Sequence, residues 1–239
     1  MKRLLAVLAT ATLLVQLGTT SASAAKPVRS SAIQWMGHSW WPRSVGGAPG
    51  PSGLWSPANA TVDAEGRVHL RITRDRKGRL VQGELDTMDN GWGYGTYRWE
   101  VASDLTAMHP EVVLGLFTYG ADPAYGHREI DIEASGWGRT PITWDYTTWA
   151  NGHNPVSRTP VVPGRSTHQF EWAPDRITWT SWDATGALLA TRTVAGADVP
   201  VPYDESIGMN LWVCGCTSEW RKTPATEVVI DRFSFTPAG

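Results

Sequence analysis

Short runs of alternating polar and apolar residues, bounded by glycine, proline, asparagine or aspartate, recur along most of this chain. Residues 67–73 (Arg-Val-His-Leu-Arg-Ile-Thr) are the clearest case. In an extended backbone Val68, Leu70 and Ile72 fall on one side and the polar residues on the other, the pattern of a half-buried strand. Residues 96–101, 112–119, 168–172, 176–182, 188–194, 207–213 and 227–235 read the same way, and no segment carries an apolar stripe at helical spacing. With 24 Gly and 16 Pro in 239 residues, a helical bundle is excluded. The pattern predicts an all-β chain whose antiparallel strands form two packed sheets, a sandwich of jelly-roll type.

The two ends of the sequence read differently. Lys2 and Arg3 precede an apolar run over residues 4–17, and Ala22-Ser23-Ala24 supplies the small residues that a signal peptidase reads. Residues 1–24 are therefore expected to be a signal peptide, cleaved after Ala24 or Ala25, and the mature protein to be secreted. The apolar run is shorter than the roughly 20 residues needed to span a bilayer, so no membrane association is expected. Residues 25–32 read as a flexible N-terminal segment, residues 33–237 as one domain, and residues 41–57 as a Gly/Pro-rich loop within it. In an oxidising compartment Cys214 and Cys216 either pair across one residue or stay free thiols, and their spacing leaves both open. Zinc would need further ligands that no nearby histidine supplies.

Charge and aromatic content narrow the ligand. Lys and Arg total 21 against 23 Asp and Glu, a formal net charge of −2, so nucleic acid and anionic membrane are poor partners and a neutral or mildly polar ligand fits better. Trp is the most abundant aromatic, 14 residues against 6 Tyr and 4 Phe. Either the core is heavily aromatic or indoles line a surface on which something flat stacks.

The chemistry concentrates at Glu129-Ile130-Asp131-Ile132-Glu133. On a strand the three acids share one face while the isoleucines point to the core. Like charges stacked along one face repel, with no Lys or Arg between them, so a plain solvated face is a poor explanation. Such stacking is useful where one carboxyl must keep its proton and act as an acid while its neighbour ionises. Retaining cleavage of a glycosidic bond needs two carboxyls about 5 to 5.5 Å apart. Residues i and i+4 of a straight strand lie about 13 Å apart at Cα, a gap that two long Glu side chains leaning inward on a concave strand could largely close.

This motif resembles the Glu-x-Asp-x-Glu strand of glycoside hydrolase family 16. Gly83-Glu84-Leu85 with Gly93-Tyr94-Gly95-Thr96-Tyr97, then Leu116-Phe117-Thr118-Tyr119, Phe170-Glu171-Trp172-Ala173-Pro174-Asp175 and Met209-Asn210-Leu211-Trp212 resemble, in order, segments of the bacterial β-1,3-1,4-glucanases of that family, and Trp220 follows Trp212 at their spacing. The resemblance implies a curved jelly roll with an open, concave glycan-binding cleft. It also implies Glu129 as nucleophile, Glu133 as acid/base and Asp131 as the assisting carboxylate. Glu84, His127, Asp145, Asn210, Trp212 and Trp220 would then contact substrate. It implies a retaining, secreted endo-hydrolase of a β-linked polysaccharide, monomeric, with no required cofactor or catalytic metal; a structural calcium site is not legible. The unbulged motif leans toward the glucanase and xyloglucan-active side.

The chain also departs from that pattern. His127-Arg128 stand where the glucanases place Trp and an acid, Asp86 where they have Arg, Ala134 where they have a large apolar residue, and Asp145 where they have Asn. These positions lie near sugar in the family, so the glycan's identity stays open. Two other readings use the same fold: a non-catalytic glycan-binding protein and a transglycosylase.

Overall fold

The computed structural model describes residues 31–239; the expected signal peptide and residues 25–30 lie outside the described residues. In chain order the strands are β1 (Ile33–Trp35), β2 (His38–Pro42), β3 (Ala60–Val62), β4 (Val68–Arg74), β5 (Leu80–Val81), β6 (Gly83–Thr87), β7 (Gly95–Val101) and β8 (Val112–Tyr119). They continue as β9 (Ile130–Ser135), β10 (Thr143–Thr148), β11 (Asn154–Pro160), β12 (Ser166–Trp172), β13 (Arg176–Asp183), β14 (Leu188–Ala195), β15 (Ser206–Val213) and β16 (Thr226–Pro237). The helical pieces among the described residues are single 3₁₀ turns, as the lack of any apolar stripe at helical spacing required.

Two antiparallel sheets result. One runs β1-β2-β6-β15-β8-β9-β10-β11, and the other β14-β13-β12-β7-β16-β4-β3 with β5 paired to β4. Neighbours far apart in sequence lie side by side, β15 between β6 and β8 and β16 between β7 and β4, so the fold is an all-β jelly roll. The strands predicted from alternation all form, with ends within two residues of the expected bounds. Those not legible, β1, β2, β3, β5, β6 and β11, are of five residues or fewer or, like β11, lie at a sheet edge, where neither face carries a long apolar series.

The core lies between the inner faces. Ile130 and Ile132 of β9 point inward as their alternation required, beside Trp144 and Tyr146 of β10, and Tyr97, Trp99, Phe170, Trp172 and Trp179 meet them from the second sheet. Trp35, Trp40 and Trp55 are also buried, so the N-terminal tryptophans are mainly core and Trp41 alone of the four is half-buried. Much of the high Trp count thus fills the interior, where each ring removes a large apolar area from water. The buried indole N–H groups of Trp99 and Trp144 have no hydrogen-bond partner, whereas the polar cluster around His168 is paired. His168 sits between Ser181 Oγ (2.7 Å) and Ser166 Oγ (2.8 Å), and Ser181 also meets the Tyr146 hydroxyl at 2.6 Å. Burial pushes the His168 imidazole down to about 3, so it is neutral there.

Candidate active site

Register across the first sheet decides which side chains meet on its outer face. Glu84 of β6 stands opposite Asn210 of β15, Asn210 opposite Gly115 of β8, Gly115 opposite Glu133 of β9, Glu133 opposite Asp145 of β10, and Asp145 opposite Arg158 of β11. A second row two residues along runs Asp86, Gly208, Phe117, Asp131 and Thr147. Paired residues on neighbouring strands share a face, so residues from six strands converge on one surface. The register places Asp131 and Glu133 on one side; Glu129 immediately precedes β9 and lies outside the paired residues.

Two glycines make the surface usable. A Cβ on Gly115 would lie 2.5 Å from Asn210 Oδ1, so the missing side chain lets Asn210 and Glu133 reach toward each other over β8. A Cβ on Gly208 would lie 2.3 Å from the Phe117 ring and 2.9 Å from Asp86 Oδ1.

Asp131, Asp145 and Glu84 are each held by particular donors. Trp149 donates its indole N–H to Asp131 Oδ2 at 2.8 Å, and the indole of Trp179 reaches the Asp131 carbonyl at 3.1 Å from the core side. Asp145 accepts from the Trp137 indole at 2.6 Å and from Thr143 Oγ1 at 2.7 Å, and Arg158 Nε approaches it at 3.2 Å. Glu84 pairs with Arg43 at 2.7 Å and accepts from Asn210 Nδ2 at 3.1 Å.

These surroundings make the acids reluctant to ionise. Burial pushes the Glu129 carboxyl up to about 7. Glu133 rises further, to about 8, through burial first and then the charges of Glu129 and Asp145. Asp131 is pushed well up by burial and by its two Glu neighbours, against the opposing pull of the Trp149 N–H. Asp86 is raised in the same way, by burial and by Glu84. These groups titrate as a set rather than singly. Near neutral pH the cluster shares protons, and Glu133 holds one more tightly than Glu129.

The approach to Glu129 is unusual backbone. Tyr125, Gly126, His127 and Arg128 all have φ between 53° and 60°, a left-handed turn that non-glycine residues enter at about 1–2 kcal/mol each. What holds it is Arg128, buried, with its guanidinium on the carbonyls of Val201 (2.9 Å), Asp122 (3.2 Å) and Ala124 (3.3 Å). His127 stacks on Tyr119, ring centroids 4.7 Å apart, and bonds the Gly120 carbonyl at 3.0 Å. The departure at His127-Arg128 therefore builds the turn that leads into Glu129.

The predicted residues do not all gather equally. Glu84, Asp131, Glu133, Asp145 and Asn210 stand on the two rows, with Glu129 and His127 at their edge. Trp212 is in register with Val113 and contacts Trp137 edge-on at 6.1 Å. Trp220 lies apart, lining a separate cavity beside the β4–β5 hairpin. Sequence reasoning missed Trp137, Trp149, Phe117 and Arg43. Trp137 had one signal, its place between Gly136 and Gly138, and its own φ is 50°. Trp149 had none, because it meets Asp131 only across a turn 18 residues along. Cys214 and Cys216 are joined in a disulfide, and Glu111 accepts from the backbone N–H groups of Cys216 (2.9 Å) and Thr217 (2.8 Å), tying down that loop.

The fold belongs to the glucanase type of jelly roll. A β-glucanase of Bacillus licheniformis superposes with a TM-score of 0.64 at 22% identity, over 83% of this chain and 92% of that one. A β-1,3-1,4-glucanase (lichenase) from a mouse hindgut metagenome gives 0.61 at 21%, over 83% and 93%. An immunostimulatory antigen and pseudo β-1,3-glucanase of Mycobacterium tuberculosis gives 0.61 at 21%, over 84% and 91%. No protein-family model matches the chain, and no curated protein matches it. At these identities the likeness establishes the fold, the one that the resemblance to glycoside hydrolase family 16 implied.

Proposed function

We propose that the protein is a secreted, retaining endo-hydrolase of a β-linked glucan. The observation that carries this reading is the Glu129, Asp131, Glu133 set on the outer face of the first sheet, with Glu133 held protonated to higher pH than Glu129. In this reading Glu129 attacks the anomeric carbon while Glu133 gives its proton to the departing glycosidic oxygen. A glycosyl ester on Glu129 results, and Glu133, now ionised, takes a proton from the water that hydrolyses it. Asp131, gripped by Trp149, keeps the two Glu residues apart in charge and in place. Glu84 and Asn210 would hold sugar hydroxyls, and the faces of Trp137 and Trp212 would stack on sugar rings. Secretion rests on the N-terminal sequence, and the glucanases of the same fold support the glucan.

A second reading has one specific support, the pseudo β-1,3-glucanase of the same fold. On that reading the cleft binds glycan without cleaving it. Reducing-sugar release from lichenan, laminarin, curdlan and xyloglucan separates the two. Under the proposal at least one polymer is cut and Glu129→Gln abolishes the cutting with melting temperature nearly unchanged. More than about 1% residual activity in that variant overturns the assignment of Glu129.

A further inference from the structure

Beside the β4–β5 hairpin a cavity of about 410 Å³ is walled by Trp220, Leu54 and Leu80, and rimmed by Arg74, Lys77, Arg79 and Arg221. That volume is within the usual range for small-ligand sites, about 300–1,000 Å³. Four cations and no carboxylate line it, in a chain whose acids outnumber its Lys and Arg.

Two of the cations build the cavity. Arg74 donates to the carbonyls of Gly78 (2.7 Å), Arg221 (2.7 Å) and Thr223 (2.9 Å), so it staples the hairpin tip to the turn that carries Trp220. Arg79 is paired with Asp75 at 2.7 Å. The other two face outward. Lys77 makes no ion pair among the described residues, and the Arg221 guanidinium lies 4.5 Å over the Trp220 ring. The loop from Gly50 to Leu54 joins this cavity to the cleft: a Cβ on Gly50 would lie 3.1 Å from the Trp212 ring, and one on Gly215 2.5 Å from Pro51.

We propose that this cavity is a second glycan site, outside the carboxyl cleft, that takes an anionic sugar unit. Trp220 and Leu54, both partly exposed and backed by the buried Leu80, offer an apolar wall to the ring, and Lys77 and Arg221 meet a carboxylate or a sulfate carried on it. A neutral glucan would leave the cationic rim unused. Nucleic acid would need a longer basic track than this confined rim.

The test uses the mature chain carrying Glu129→Gln, so that nothing is cleaved, in affinity electrophoresis through polygalacturonate, dextran sulfate or neutral dextran. Retardation by polygalacturonate, by dextran sulfate or by both, lost in 0.5 M salt, is expected, and neutral dextran should have no effect. The two anionic polymers separate carboxylate from sulfate as the preferred group. Adding Lys77→Glu and Arg221→Glu should weaken the retardation at least about tenfold with an unchanged melting temperature. Inorganic polyphosphate of matched charge is the control for charge alone. The proposal is overturned if neither anionic polymer retards the protein, if the double variant still binds, or if polyphosphate binds as tightly as the anionic glycans. A chain that hydrolyses no polymer at all would refute the glucanase reading and leave this test intact.

Discussion

Asp145 stands directly across the β9–β10 ladder from Glu133, held there by the Trp137 indole and Thr143. Its charge is among the causes that lift the Glu133 carboxyl to about 8. Where the sequence resemblance implies a neutral amide, this chain carries a group that helps Glu133 keep its proton.

Asp145→Asn should therefore lower the alkaline limb of the pH–rate profile by about half a unit to one unit, with the acid limb little moved. The amide oxygen can still accept from Trp137, so the geometry should hold. Profiles of kcat/KM from pH 4 to 9 check this, and an unmoved alkaline limb would remove Asp145 from any electrostatic role.

The cleft acids also set how stability varies with pH. Glu129 and Glu133 titrate near 7 and 8 in the fold against an ordinary value of 4.5, so between about pH 4.5 and 8 the folded chain holds more protons than the unfolded one. Stability from these groups therefore falls as pH rises through that window. Glu133→Gln removes one of them. Its melting temperature should gain on the parent between pH 5 and pH 9 by roughly 2–8 °C, on the order of 1–2 kcal/mol. Thermal melts across that range decide it, and parallel curves would mean that Glu133 is not desolvated.

Gly115→Ala tests the gap over β8. The new methyl would meet Asn210 Oδ1 at 2.5 Å, so Asn210 must swing away from Glu84 or the strand must shift. We expect a stability loss of about 1–3 kcal/mol and a larger proportional loss of activity. Activity equal to the parent would show that the space above Gly115 holds no substrate group.

Stereochemistry tests the mechanism itself. With Glu133 on β9, Glu129 immediately before it and Asp131 between them, hydrolysis under the proposal should pass through a glycosyl ester and retain configuration. Proton NMR of the first product from a β-linked substrate should show the β-anomer before mutarotation. An α-anomer appearing first would place a water where the ester should form, and would end the nucleophile role of Glu129.

The alternation of residues 67–73 and 96–101 was enough to predict strands β4 and β7, because side chains on an extended backbone sort themselves by period two whatever lies beside them. For the same reason Glu129, Asp131 and Glu133 could be placed on one face, with Ile130 and Ile132 in the core, from their order alone. What the order could not contain is the register between strands distant in sequence. Hydrogen bonding across β6, β15, β8, β9, β10 and β11 brings Glu84, Asn210, Glu133 and Asp145 into one row, and only the assembled sheet sets which residue faces which. Trp149 on Asp131, Arg43 on Glu84 and the Arg128 staple behind the left-handed turn are likewise contacts between separate segments. The raised carboxyl values follow from burial by those same contacts, since a side chain's solvation depends on what the whole fold stacks around it.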